Sequence, residues 1–302
     1  MTAPQSARPP TLHAPAAQRW LARLAPQAPW LHEEVGRRMQ ERLDWVTVQP
    51  RHWVDWMPHT GGWGAHDLVA QRYPQAQCTV VEPEPARRLA ACRRVQRPWW
   101  NPALWRGAKT ECVAQVQRPA DMLWANMSLH LSPDPQTWIR QWLDALAVDG
   151  FLMFSCLGPD SLRELRQAYA ARGWAPPHHE FTDMHDWGDM LLHAGFAEPV
   201  MDMERITLTF NSSQRLLDEL RELGRNLHVG RFAGLRGRRW MAQWHGLWGD
   251  VLARQQPLAL TFEVVYGHAF KARPKIPSRA NGSVSLDDLQ ASLRKKRQES
   301  AT

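Results

Sequence analysis

The spacing of apolar positions switches between a helical and a strand period several times along this chain. Residues 31–45, LHEEVGRRMQERLDW, set Leu31, Val35, Met39 and Leu43 about one helical turn apart, which predicts an amphipathic helix lying on a larger domain. Next, HWVDW (52–56) predicts a short strand, AHDLVAQRY (65–73) a helix stopped by Pro74, and QCTVVEP (77–83) a β-branched strand ended by Pro83. The stretch from Arg97 to Pro119 is proline-bearing and poorly patterned. ADMLWANMSLHL (120–131) then reads as a strand running into a turn, and PQTWIRQWLDALAV (135–148) as a helix ending at Asp149-Gly150. FLMFSC (151–156) is apolar on both faces, as a strand inside a parallel sheet must be.

The second half continues the alternation. PDSLRELRQAYA (159–170) and MHDWGDMLLHAG (184–195) have the helical period, and PVMDMERITLTF (199–210) the strand period. Ser212 is placed to cap a helix over 213–223, with Gly224 as its stop. A further helix covers 238–255, and LALTFEVVYGHAF (258–270) is a last strand. Strands separated by helices imply an α/β, doubly wound sheet with right-handed crossovers. The two late strands should pair as an antiparallel hairpin at the sheet edge, with a helical insertion between them over about 212–258. The expected organisation is a disordered start (1–30), one domain (31–272), and a basic linker with a short terminal helix at 285–297 within 273–302.

Composition changes this picture little. With 302 residues and 44% hydrophobic content the chain can bury a large core, and its apolar runs are too short to span a bilayer. Cys78, Cys92, Cys112 and Cys156 are widely spaced, so a zinc cage or disulfide framework is not expected and a reducing, cytoplasmic setting is. The first thirty residues carry three arginines and no acid, as a transit peptide does, but their six prolines oppose the amphipathic helix such a peptide needs. The net charge of +7 is uneven: residues 1–270 account for +2, and the tail from Lys271 for the rest. Aromatic residues do not interleave with that tail, so nucleic-acid binding is not the expected use of it.

The chemistry gathers around the first strand. Residues 54–85 have the plan of a nucleotide-binding βαβ unit, with an acidic residue, Glu82, closing the second strand where it can take ribose hydroxyls. The intervening turn holds Met57, His59 and Gly61, and no G-K-[ST], which excludes a P-loop. His178, His179 and His185 lack metal-ligand spacing and read as polar loop contacts. The connection after Gly224 carries Arg225, Arg231, Arg236, Arg238 and Arg239 with no acid among them, which reads either as a solvated helix face or as a surface for an acidic partner.

Asp55 with Gly61 resembles the D-x-G-x-G-x-G cofactor turn of Rossmann-like methyltransferases, with Met57 and His59 standing where that pattern has glycines. The segments DMLWANMSLHLSPDPQTWIRQWLDALAVDGFLMFSCLGPDSLREL, FTDMHDWGDMLLHAGFAEPVMDMERITLTF and FEVVYGHAF resemble the malonyl-[acyl-carrier-protein] O-methyltransferases of biotin synthesis. The resemblance covers about residues 31–272. It implies a Rossmann-like methyltransferase fold with a seven-stranded, mostly parallel sheet. It implies S-adenosylmethionine as cofactor, faced by Asp55, Met57, His59, Gly61, Glu82 and Asn126, with Asn126 also a candidate for positioning the substrate. It further implies a malonyl-loaded acyl-carrier protein as partner, with His185, Arg225 and Arg231 as candidate substrate contacts. Two alternatives stay open: a methyltransferase-fold pseudoenzyme that binds a carrier or partner without turnover, and a methyltransferase for another small carboxylate or amine.

Overall fold

Helices and strands alternate almost as the apolar pattern predicts. The computed structural model describes residues 11–23, 27–95, 110–254 and 256–273. In chain order the elements are α1 (Ala14–Leu21), α2 (Trp30–Arg42), β1 (His52–Trp56), the single turn α3 (Pro58–Gly61), α4 (Trp63–Arg72), β2 (Gln77–Val81), α5 (Pro85–Val95), β3 (Thr110–Val113) and β4 (Ala120–Ala125). They continue with α6 (Pro135–Ala145), β5 (Leu146–Leu157), α7 (Arg163–Ala171), α8 (Met184–Ala194), β6 (Phe196–Phe210), α9 (Ser213–Leu223), α10 (Arg238–Ala253) and β7 (Leu258–Lys271).

The strands form one seven-stranded sheet in the order β3-β2-β1-β4-β5-β7-β6. β1 to β5 are parallel, and β7 runs antiparallel to both β5 and β6. The strand order reverses between β1 and β4, so the crevice past their carboxyl ends is where such a sheet binds its ligand. The strand period of two sorts side chains onto two apolar layers. Trp53, Met122, Trp124 and Met153 pack with α2, α4, α9 and α10 on one face. Val54, Leu123, Leu152 and Phe154 pack with α1, α6 and α8 on the other. α9 and α10 lie in the segment between β6 and β7, and that long hairpin is the expected one.

Four expectations need correction. The N-terminal stretch is folded at 11–23: Leu12, Ala17 and Leu21 are buried, and the His13 N–H donates to the Leu227 carbonyl at 2.7 Å. Pro15 sits in the first turn of α1, where its missing N–H costs nothing. α6 ends at Ala145 rather than Asp149, because residues 146–150 already belong to β5; Asp149 there adopts a φ of 65°. α7 begins at Arg163 instead of Pro159, after Leu162 in the left-handed region. Thr110–Val113, in the stretch read as unpatterned, is the edge strand β3. By internal contacts the chain divides at Ala272 and Arg273. The expected tail helix at 285–297 lies outside the described residues.

Gly267 lets β7 pass under Phe154: a Cβ there would meet Phe154 Cε1 at 2.3 Å and Met201 Sδ at 2.9 Å. Gly267→Ala should therefore lower the unfolding free energy by about 1–3 kcal/mol through overpacking. Gly246→Ala, in α10 with open space around it, should raise it by about 0.5–1 kcal/mol through helix propensity. Urea denaturation of the two variants checks both signs.

Candidate cofactor and substrate site

The turn after β1 is closed by its own side chains. Met57 has φ 59° and ψ 55°, a left-handed conformation that costs a residue with a Cβ about 1–2 kcal/mol. Three things hold it there. Its N–H donates to the Val81 carbonyl at 2.9 Å, its carbonyl accepts from Thr60 and Gly61, and its thioether side chain is buried in the apolar layer with Val81 and Leu129. Burying that side chain returns about 1.5–3 kcal/mol, which outweighs the backbone cost.

The next residues reach Glu82. The His59 N–H donates to Glu82 Oε1 at 3.0 Å, while Oε2 is buried without a partner. Burial pushes the Glu82 carboxyl up to about 7, against the opposing pull of the His59 N–H and the Arg87 charge. The His59 ring stands edge-on to Trp63, and its Nε2 is likewise buried without a partner. Burial, then Arg87, holds the His59 ring below its ordinary pKa.

Asp55 and Asn126 face inward. Asp55 Oδ2 lies 2.7 Å from His66 Nδ1 on α4, both side chains being buried. Burial raises the Asp55 pKa, and the His66 contact opposes that. Asn126 Nδ2 donates to the carbonyls of His32 (2.7 Å) and Gly61, and Oδ1 accepts from Ser155 Oγ at 2.6 Å. Both N–H donors and the oxygen of the amide are engaged within the fold. Gly61 serves the same contact: a Cβ on it would meet the Asn126 carbonyl oxygen at 2.8 Å. Here the missing side chain admits protein backbone.

Three residues at this site have no distinguishing pattern in the sequence. His32 Nδ1 donates to the Thr60 carbonyl at 2.6 Å. The Glu33 carboxylate accepts from the N–H groups of Gly64 (3.2 Å) and Ala65 (3.0 Å), an internal anion at the positive end of α4. Arg87 is buried and donates to Thr60 Oγ1 and to the Arg23 carbonyl, both at 2.7 Å, tying the segment after α1 to the turn. In sequence, Arg87 is one of several arginines in the stretch after Pro83, where no element is predicted, and His32 and Glu33 fall at the start of the predicted helix.

Beside this turn a cavity of about 380 Å³ opens past β4 and β5, with α9 among its walls. Its lining includes His32, His130, His178, His179, Leu165 and Arg225. Of the expected substrate contacts, only Arg225 is brought here. His185 is exposed at the start of α8, bonded to Asp183, and Arg231 donates to the His228 carbonyl. The side chains of α8 that turn inward, Trp187 and Leu191, pack on the sheet, which leaves His185 on the outer side. Among the described residues no cluster of His, Cys, Asp and Glu is arranged to hold a metal ion.

Comparison with known proteins decides the family. The chain is 39% identical over 256 residues to a malonyl-[acyl-carrier protein] O-methyltransferase of Gallionella capsiferriformans, covering 82% of this chain and 86% of that one. It is also 39% identical over 255 residues to the enzyme of the same name from Laribacter hongkongensis, covering 81% and 84%. The chain belongs to the malonyl-[acyl-carrier protein] O-methyltransferase family. No family model matches it. Among solved structures it is similar to a candidate methyltransferase from Bacillus halodurans, with a TM-score of 0.52 and 11% identity over 80% of this chain and all of that one, a likeness of fold. In this member of the O-methyltransferase family the turn after β1 thus carries a buried methionine, and Glu82 keeps one oxygen unpaired.

That oxygen has a measurable consequence. Because the folded pKa of Glu82, about 7, lies above its ordinary value of 4.5, the folded state holds this proton more tightly. Its contribution to stability should grow as pH falls from about 7 towards 4.5, and be lost as pH rises through the same window, by up to about 3 kcal/mol. Glu82→Gln should remove this dependence. Unfolding free energies of parent and variant across pH 4.5–8 check it, and parallel curves would contradict it.

Proposed function

We propose that this protein transfers a methyl group from S-adenosylmethionine to the free carboxylate of a malonyl thioester on acyl-carrier protein, a step of biotin synthesis. One observation carries the cofactor assignment. Glu82 Oε2 and His59 Nε2 are both buried and unpartnered, and their residues meet past the carboxyl ends of β1 and β2. A carboxylate oxygen left free at the end of the second strand fits the hydroxyls of a ribose. Family membership supplies the reaction class.

When bound, S-adenosylmethionine supplies an electrophilic methyl group. A malonyl carboxylate has an ordinary pKa of roughly 4, so it is ionised at neutral pH and needs no general base. The protein's task is therefore to align the oxygen with the methyl and to strip water from the pair. The turn is built for that environment: Glu82, Asp55 and His32 are all buried, and burial drives His32 down to about 4. The pseudoenzyme reading draws on Met57 and on Gly61 being closed by Asn126. The unpaired oxygen of Glu82 favours the enzyme, since a remnant site gains nothing from a buried unsatisfied carboxyl.

The carrier fits the insertion. Arg236 lies over the rings of Phe232 (4.0 Å) and Trp240 (4.6 Å), and Arg238 and Arg239 are exposed at the start of α10. Phe232 and Leu235 are exposed beside them. Cations interleaved with apolar side chains suit an acidic protein. No helix among the described residues is long and apolar enough to cross a membrane.

The first test is mass spectrometry of malonyl-loaded carrier after incubation with protein and S-adenosylmethionine; the expected product is heavier by one methylene than the untreated carrier. Met57→Gly with His59→Gly should lower stability, since the buried thioether is lost, yet bind the cofactor several-fold more tightly as the turn opens. Calorimetry showing no gain with the fold intact would remove these two side chains as what narrows the site. Arg236→Glu with Arg239→Glu should weaken carrier binding about tenfold, and the parent's binding should fall with added salt. Unchanged affinity would make these arginines plain solvated surface.

A further inference from the structure

The imidazoles in the cavity have their hydrogens placed by their neighbours. A carbonyl oxygen can only accept a hydrogen bond. His32 Nδ1 faces the Thr60 carbonyl at 2.6 Å, His178 Nδ1 the His179 carbonyl at 2.6 Å, and His179 Nε2 the His130 carbonyl at 2.9 Å. Each of those nitrogens must therefore carry the hydrogen. Burial holds all three rings down at about 4, so they are neutral near pH 7. The nitrogen left over on each ring is a bare lone pair.

Two of these, His178 Nε2 and His179 Nδ1, are buried with no partner, on side chains 9% and 4% exposed. A buried acceptor without a donor is costly, because it has given up its bond to water and gained none. A carboxylate offers no donor, and a second set of lone pairs repels it. His130 Nδ1 accepts from the Leu157 N–H at 3.4 Å, so its Nε2 carries the hydrogen. The wall thus sets acceptors at His178 and His179 beside one donor at His130, a combination that an amide can answer with both its N–H and its C=O. The remaining lining is largely apolar, with Leu157, Leu165 and Phe181 among it.

The exposed end of the lining is cationic. Arg221 and Arg225 belong to it, and the nearby charges of Arg23 and Arg221 add to burial in depressing the Arg225 pKa. Cations that destabilise one another gain from an anion placed among them. The lining thus combines cations, neutral acceptors and an apolar wall.

We propose that this cavity seats the amide arm through which the thioester is carried, and not the malonyl carboxylate. The N–H and O–H groups of the arm donate to His178 Nε2 and His179 Nδ1, and its terminal phosphate lies against Arg221 and Arg225. Such an arm has two amides, a hydroxyl and a phosphate, so it brings both the donors and the anion that this lining lacks. This assignment rests on the proposed function, because it takes the substrate to be a carried thioester.

The probe is 4′-phosphopantetheine itself, titrated calorimetrically into the parent, into His178→Phe and into Arg225→Gln. Phenylalanine keeps the stacking of residue 178 on Phe181 while removing the acceptor. Binding by the parent, weakened about tenfold in each variant with cofactor affinity retained, is the expected result. The kcat/KM ratio for malonyl-phosphopantetheine over malonyl ethyl thioester, which lacks the amides, should fall about tenfold in His178→Phe. An unchanged ratio, or displacement of 4′-phosphopantetheine by malonate, overturns the proposal. The two readings separate cleanly. Methylation of malonyl ethyl thioester by a parent that ignores 4′-phosphopantetheine sinks the cavity assignment alone. Variant-sensitive binding without any methyl transfer supports the assignment and sinks the enzyme.

Discussion

The side-chain amide of Asn126 is the tie on which the site depends. From the end of β4 it holds the start of α2 through the His32 carbonyl, the turn through the Gly61 carbonyl, and β5 through Ser155. Four segments far apart in the chain meet on one buried residue whose amide uses both of its N–H donors and its oxygen. Two glycines make room for it. Gly36 lets α2 approach Ala65 on α4 and the Asn126 amide, and Gly61 lets the turn lie against the Asn126 backbone. A network of this kind is favourable only when complete, because each buried polar group left alone costs its full desolvation. Closure of the turn and placement of α2 are therefore one event.

Around that tie the protein keeps its ionisable groups close to neutral. Glu82 is pushed up to about 7, and His32, His178 and His179 are pushed down to about 4, in each case chiefly by burial. Buried groups held near neutrality suit a reaction whose nucleophile is already ionised and whose electrophile is a cation: attraction between the two is strongest where water screens least. The permanent charges are placed where they meet partners. Glu33 covers the start of α4, and Arg87 lies beside Glu82 with its donors satisfied by Thr60 and the chain after α1.

The insertion between β6 and β7 does a different job from the sheet. β7, paired on both sides, anchors it rigidly, and α9 supplies Leu217 and Leu220 to the cavity. Its outward side carries Arg236 stacked on the rings of Phe232 and Trp240, which holds its charge in a defined direction. The sheet thus presents the turn and Glu82, while the insertion shapes the space beside them.

Much of this fold is written in local patterns. Strand periods at 52–56, 77–81 and 151–156, Ser212 accepting from the Arg215 N–H, and Gly224 at the end of α9 follow from neighbours in the chain. The acid closing β2 and the residue types of the turn were equally legible. What tertiary structure decided lies in contacts between distant residues. α1 forms because Leu12, Ala17 and Leu21 find an apolar layer to cover, and residues 146–150 join β5 because β4 lies alongside at Ala120. Asn126 reads as a candidate cofactor-facing and positioning residue, and that its amide ties His32 and Gly61 shows only once the fold brings them to it. His178 and His179 read as loop polarity until the carbonyls beside them place their hydrogens. Periodicity reports which face of an element is buried; it carries no information about which buried polar groups will meet, because those partners are set by the packing of whole elements and not by spacing along the chain.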